Sequence, residues 1–352
     1  MTDADLPGLL VISTVHAADD TRIREKLLRT LEGITAITYA TRSPAPTDSS
    51  GISRWVELKG GRVMRNVRAV PLLFSRAHRV AVVHDAELIP AAIAASTLGR
   101  RRIVVDVHEH VPGQLITKDW LPAVLRRPAA WVAARLLRLA ERVCEITLAE
   151  PGYQVLFRHP QRVFANYPDV LPPPAPGDGS VVYVGDVTQA RGLTDLVAAI
   201  EQMEITPTVR IIGRCAPDLG AHLQTVNGVE LLGRVPHPDA MRMVRTATVG
   251  VSPLRDTPNY RYSLPTKVIE YLGTGIAVVA TDLPGTSEVI GDKPGVILVP
   301  AGDIDALANA LSVALADPTL RAAAAANASA IRRQHCWPRA EVTSFYRGLL
   351  GV

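Results

Sequence analysis

Short apolar runs and longer stretches of helical spacing alternate along almost the whole of this 352-residue chain. Residues 9–14 (LLVIST), 80–84 (VAVVH) and 103–107 (IVVDV) are near-continuous apolar runs of buried-strand length. Helix-spaced segments follow them, as at 88–98 and 131–143. The second half repeats the scheme with runs at 181–184, 209–212, 229–232, 249–251, 277–280 and 296–299. Strands that are apolar throughout, alternating with helices, predict parallel sheets covered on both faces. The right-handed crossover rule then predicts a doubly wound α/β domain in each half.

Between the halves, residues 167–179 (YPDVLPPPAPGDG) hold five prolines and two glycines, a composition of stiff extended spacers. The expected organisation is an N-terminal Rossmann-like domain over 1–168, a linker over 169–179 and a C-terminal Rossmann-like domain over 180–336. A final helix over 337–352 follows and is expected to return to the first domain. Ligands of open α/β sheets bind beyond the carboxyl ends of the strands, so the two sheets are expected to face each other across a ligand cleft.

Composition narrows the class. Forty-seven percent apolar and 20% charged residues describe an ordinary globular protein, and no apolar run reaches the ~18 residues of a membrane-spanning helix. The opening MTDADLPGLLVIST carries acids where a secretion signal carries Lys or Arg, so no signal is expected. Cys144, Cys215 and Cys336 are widely spaced and form no CxxC pair, which points away from disulfides and zinc and toward a reducing cytoplasm. Residues 1–168 carry a net +7 and the remainder −3. That asymmetry suits an anionic lipid, an acidic acceptor or nucleic acid, but 33 of the 38 basic residues are Arg, as a GC-rich genome also gives.

Neither GxxxxGK[ST] nor a strand-following GxGxxG occurs. Gly273-Thr274-Gly275 precedes a strand and reads as a helix-ending turn. Asp303 and Asp305 imitate a DxD metal pair, yet they open a helix, where Asp303 caps and Asp305 favours the positive end. The most informative stretch is 263–290 (SLPTKVIEYLGTGIAVVATDLPGTSEVI), in which Pro265 opens a helix. Lys267 and Glu270 fall at i and i+3. A helix N-terminus offers free N–H groups to an anion, and a carboxylate one turn in can accept bonds from the vicinal hydroxyls of a ribose. A plain surface ion pair is the alternative. In 181–192 (VVYVGDVTQARG), Arg191 stands at the mouth of a second helix, in reach of a phosphate. In the first half His108 and Glu109 follow the 103–107 run, and His108 suits a sugar hydroxyl, a leaving phosphate or a general base. Metal ligation by His108 and His110 lacks an obvious third ligand. His16, Asp20 and Arg22 follow the first strand, where Asp19 or Asp20 serves as a helix cap, and His84-Asp85 forms another polar strand end.

These residues resemble the retaining GT-B glycosyltransferases of family 4, which transfer a sugar from a nucleoside-diphosphate donor. The likeness spans nearly the whole chain. It is carried by GDVTQARG, VRIIGRC, LLGRVPHPDAM and SLPTKVIEYLGTGIAVVATDLPGTSEVI, with TVHAADDTRI and VVDVHEHVP resembling a bacterial subgroup. The resemblance implies that Glu270 is the second Glu of an E-x7-E element holding the donor ribose. It makes Arg191, before Gly192, the diphosphate-binding base that follows the strand-end Gly185. It assigns Gly233-Arg234-Val235 and Arg214 to the base-binding loop, and His108 to the donor sugar. The first Glu of the element is Tyr262 here, the Gly-Phe-Gly loop reads Tyr-Arg-Tyr-Ser-Leu-Pro, and a second phosphate-binding base is Asp186. Backbone N–H groups from Ser263 through Leu264 and Pro265 to Thr266 are expected to substitute (Pro265 itself has none), with Lys267 supplying the missing charge.

The implied reaction is front-face displacement with retention, without metal or cofactor, with the leaving diphosphate stabilised by Arg191, Lys267 and helix N-termini. Two other readings use the same architecture: a non-hydrolysing sugar-nucleotide epimerase, and a catalytically inactive nucleotide-sugar binder. The acceptor, a sugar, a lipid-linked or a small molecule, is expected on the first half, at loops 15–22, 55–68 and 111–120, with His16, Asp20, Arg22 and Glu109 on that side. No nucleic acid partner is expected. Arg126, Arg127, Arg135, Arg138 and Arg142, interleaved with Leu, Val and Trp, read either as the solvated face of a core helix or as a contact with the inner face of a membrane.

Overall fold

The computed structural model describes residues 6–47, 49–117 and 121–352. The first five residues of the acid-bearing opening and residues 118–120 of the expected acceptor loop lie outside the described residues. Internal contacts divide the chain into two units: one runs to Asn166 and includes Trp337–Val352, and the other is Tyr167–Cys336.

The first unit is built on seven parallel strands in the order β3-β2-β1-β4-β5-β6-β7. They are β1 (Gly8–Ser13), β2 (Ala36–Thr41), β3 (Arg54–Glu57), β4 (Val80–Val83), β5 (Arg102–Val107), β6 (Glu145–Leu148) and β7 (Arg162–Val163). The second holds six in the order β10-β9-β8-β11-β12-β13, namely β8 (Val181–Val184), β9 (Val209–Ile212), β10 (Val229–Gly233), β11 (Val249–Ser252), β12 (Ala277–Thr281) and β13 (Val296–Val299). Both are doubly wound, Rossmann-like sheets. Each has a switch in strand order beside its first strand, where β1 meets β4 and β8 meets β11.

Alternation within each strand feeds two cores per unit. In the first, Leu10 and Ile12 of β1 join Ala81, Val83 and Val105 on one side, while Leu9 and Val11 join Val80, Val82 and Val104 on the other. That second core is completed by the end of the chain: Trp337, Val342, Tyr346 and Leu350 are buried in it. The Trp337 indole N–H donates to Thr30 Oγ1 at 2.9 Å. In the second unit Val181, Tyr183 and Val251 lie in one core and Val182, Ile212 and Val278 in the other.

Several elements differ from the sequence expectation. β2, β3, β6 and β7 were not expected; β2 (AITYAT) mixes threonines with its apolar residues, β3 (RWVE) alternates instead of running apolar, and β6 and β7 have four and two residues. The helix expected over 131–143 is Ala123–Ala140; Arg126, Arg127 and Pro128 interrupt its first turns. The first helix opens with a π-helical stretch, Thr21–Leu28, for which the pattern holds no signal. The proline-rich segment is a strap packed on the second unit instead of a free spacer. A side chain at Gly273 or Gly275 would run into Leu171 or Pro174, Arg332 donates to Pro172 O at 3.2 Å, and Arg321 to Ala175 O at 2.6 Å. Asp303 does cap the helix Ile304–Ala316, accepting from the Ala306 N–H at 2.9 Å.

Candidate functional site

In the second unit the chain leaves β8 through Gly185, whose φ of +135° suits glycine. A Cβ added there would stand 3.1 Å from Lys267 Nζ and 3.3 Å from Arg191 Nη1, so two cations face one stretch of bare backbone. Arg191 ends a short 3₁₀ turn capped by Thr188, and Gly192 at φ +75° then opens the helix Leu193–Gln202. A Cβ on Gly192 would sit 1.6 Å from Pro253 O, which fixes the turn against β11. The Arg191 guanidinium lies over the Tyr260 ring, 5.9 Å from its centroid.

Lys267 arrives from the helix Thr266–Thr274, which Pro265 precedes as the cap residue and Gly275, at φ +81°, ends. No side chain caps its first turn, so its leading N–H groups and positive end stay open to an anion. The Lys267 ammonium is buried, sits 3.8 Å above the Tyr183 ring centroid and has no hydrogen-bond partner among the described residues. Burial, with Arg191 second, holds its pKa well below the ordinary lysine value, against the pull of Glu270 and Asp186. One turn on, Glu270 is buried and receives His237 Nε2 at 2.9 Å. Lys267 and Glu270 thus form no surface pair; each has its own surroundings. Tyr271 Oη accepts the Val184 N–H at 2.9 Å and ties this helix to the end of β8.

Asp186 and Arg214 face each other at 3.4 Å, both exposed. Arg234 is exposed after the strand-end Gly233, while Val235 packs against the core. Ser263, Pro265 and Thr266 are half-buried and Leu264 is buried. Tyr262 is exposed, and Gly285, which donates to Arg261 O at 3.1 Å, comes close beneath it.

The strand ends of the first unit converge on Asp106. Arg22, expected toward an acceptor, is buried with its fork on this carboxylate (2.7 and 3.0 Å) and a further N–H on Phe164 O at 2.7 Å. Thr147 donates to the same carboxylate at 2.7 Å, His108 Nε2 lies 2.6 Å from it, and His84 Nδ1 lies 2.8 Å from His108 Nε2. Burial drops the His108 pKa to about 4 against the pull of Asp106, so the ring is neutral at pH 7. His16 bridges Asp20 (3.3 Å) and Asp85 (3.6 Å). Burial lowers its pKa, but these acids together with Glu109 leave it raised. Asp20 also caps the first helix, accepting from Arg22 and Ile23 at 3.0 Å each, and Glu109 is exposed.

Among the described residues, His84, Asp106 and His108 form the one cluster with metal-ligand chemistry. The histidine grouped with His108 is therefore His84, from the end of the neighbouring strand β4, and not His110, which accepts the Gly113 N–H at 2.9 Å. Arg22 neutralises the carboxylate, His108 Nε2 lies within hydrogen-bond distance of both Asp106 and His84 Nδ1, and His84 Nε2 is buried without a partner among the described residues.

Sequence reasoning missed Tyr183, Tyr260 and His237. The alternation of β8 marks Tyr183 as a core residue, and nothing in the sequence marks the other two.

Residues 178–317 match the family model "Glycosyl transferases group 1". The chain is 30% identical over 187 residues to a phosphatidyl-myo-inositol mannosyltransferase of Mycolicibacterium smegmatis, an alignment covering 49% of this chain and 46% of that one. It is 24% identical over 348 residues to a glycogen synthase of Mycobacterium tuberculosis, covering 93% and 81%. For the first two curated relatives the chain spans only 31% and 46% of their length. A solved structure, Anabaena HepE in complex with UDP-glucose, superposes with a TM-score of 0.73 at 15% identity, covering 98% of this chain and 99% of that one. The fold is thus GT-B, two Rossmann-like domains, and the glycosyltransferase family match lies within the second unit.

Proposed function

We propose that the chain transfers a sugar from a nucleoside-diphosphate donor to an acceptor hydroxyl, with retention of anomeric configuration and without a divalent metal or cofactor. The observation that carries this reading is the pair of cations, Lys267 and Arg191, set against bare Gly185 in front of an uncapped helix end. A buried ammonium without a partner is costly, and a diphosphate bound there satisfies it. Glu270, held by His237 one turn further in, suits the two ribose hydroxyls. The match to a glycosyltransferase family model and the UDP-glucose complex of a structural neighbour support the same donor class.

In the proposed reaction the acceptor attacks on the face the diphosphate leaves. The departing β-phosphate, whose growing charge Arg191, Lys267 and the helix end stabilise, takes the acceptor proton. Fixed donors do this without reorganisation. Neutral His108 and the His16–Asp20 pair belong, in this proposal, to the sugar and acceptor side. The acceptor is a sugar, a lipid-linked or a small-molecule hydroxyl. Three unpaired cysteines suit the reducing cytoplasm, with peripheral membrane contact, as the place of work.

A thermal-shift panel of UDP, GDP, dTDP and ADP in chelator tests donor binding, and donor consumption with and without chelator tests the metal. The expected outcome is one stabilising nucleotide and chelator-resistant turnover that Arg191→Ala and Glu270→Ala abolish without unfolding. Turnover lost to chelator, or kept in either variant, refutes the reading.

A further inference from the structure

The first unit turns an unusual face outward. Helices Arg62–Phe74, Ile89–Thr97 and Ala123–Ala140 lie side by side over one side of its sheet, and Ala69, Leu73, Ala92, Ala95, Leu137 and Ala140 enter the same core. Small residues and a few leucines thus serve the inward side, while large apolar residues point away from the core. On the first helix Val63, Val67 and Phe74 follow one another at helical spacing and are exposed. On the third Val124 and Trp131 repeat at seven residues, as do Leu125, Val132 and Leu139, and all five are exposed. Val63 is 78%, Val124 81% and Trp131 60% accessible. A soluble helix normally places polar residues there.

Charge completes the pattern. The three helices hold seven arginines and no acid. Arg62 is matched by Glu87 from the neighbouring turn. Arg127, Arg135 and Arg138 stand exposed among the apolar residues, and the Arg135 guanidinium stacks 5.0 Å from the Trp131 ring centroid. We propose that this face docks on an anionic lipid bilayer, with Trp131, Val124 and Val63 entering the headgroup–acyl boundary and the arginines at the level of the lipid phosphates. A second copy is a poor occupant, since two such faces set unpaired arginines against arginines. A nucleic acid backbone rewards the cations and leaves the exposed Trp, Val and Leu without a partner. This inference stands apart from the donor reading and from every residue placed in it.

The test is co-sedimentation of the full chain with phosphatidylcholine vesicles, with and without about 30% phosphatidylglycerol, at low and high salt. The expected result is binding that requires phosphatidylglycerol and weakens with salt. Each basic residue near such a surface contributes about fivefold, so the pair Arg127→Ala and Arg138→Ala weakens binding about 25-fold. Trp131→Ala weakens it at both salt concentrations. Unfolding temperature and nucleotide-induced shift stay unchanged in all three, which separates loss of docking from loss of fold and from failure of the donor reading. The proposal is overturned by equal binding to neutral vesicles, by variants that bind as the parent does, or by a solution dimer that Trp131→Ala dissolves. Duplex DNA binding as strong as vesicle binding and indifferent to Trp131→Ala overturns it as well.

Discussion

Replacing Lys267 with Met should make the free protein more stable and the nucleotide-bound protein less so. The ammonium is buried, has no hydrogen-bond partner among the described residues and lies near Arg191, and methionine fills similar space without charge. Leaving a buried polar group unsatisfied costs about 1–3 kcal/mol, so removing it returns about 2 kcal/mol. For a unit of this size that raises the melting temperature by about 4–8 °C. A hydrogen bond to a charged group contributes about 1.5–3 kcal/mol, so affinity for the stabilising nucleotide drops about 10–150-fold. At ligand one hundred times the parental Kd, stabilisation then falls from about 2.7 kcal/mol to about 0.4 kcal/mol for a hundredfold loss. The pH dependence gives a second check. Because the folded pKa lies well below the ordinary 10.5, the unfolded chain binds the extra proton between the two values. Parental stability therefore rises with pH across that window, by at most about 1.4 kcal/mol per unit, and the variant lacks this rise. Calorimetric unfolding with and without nucleotide from pH 6 upward reads all three quantities. A variant that melts lower when free, or keeps the full nucleotide shift, refutes the reasoning.

Three further outcomes are expected. Gly192→Ala, at φ +75° and 1.6 Å from Pro253 O, should cost about 3 kcal/mol or more by urea unfolding, through strain and displacement of the Arg191 turn. Asp106→Asn leaves buried Arg22 without its counter-charge and should cost about 3–5 kcal/mol. Arg22 and the neighbouring histidines outweigh burial and hold the Asp106 pKa well below 3.8, so its contribution is complete above 3.8 and fades as pH falls toward the folded value. The gap between parent and variant should therefore close only in acid. Tyr346→Ala opens a cavity in the first unit's core and should lower its stability by about 3–5 kcal/mol, read by amide exchange in β1 and β4.

The fold was legible where a strand is buried on both faces, because period and composition then agree. Val181–Val184 and Val209–Ile212 coincide with the apolar runs. It was illegible at the margins of the first sheet, where β3 alternates and β7 is two residues long. Of the donor-type cluster, Arg191, Lys267 and Glu270 could be picked out because helix N-termini announce themselves through Gly and Pro. What joins them, the Tyr183 ring beneath Lys267 and the His237 bond to Glu270, depends on strands and loops meeting in space. The Asp106 cluster shows the same limit: Arg22, His84 and Thr147 are 84, 22 and 41 residues from the aspartate in sequence, and only the parallel sheet collects them.

The placement of Trp337–Leu350 in the core of the first unit reverses the usual order of completion during synthesis. The strands β1 to β7 leave the ribosome first, yet the core side of Leu9, Val11 and Val80, partly covered by Ile23, Leu27 and Leu31, is completed only when Trp337–Val352 emerges. The second unit, contiguous in sequence, is whole before that moment. A product cut just after Cys336 thus holds a finished second unit and a first unit whose core lacks Trp337, Val342, Tyr346 and Leu350.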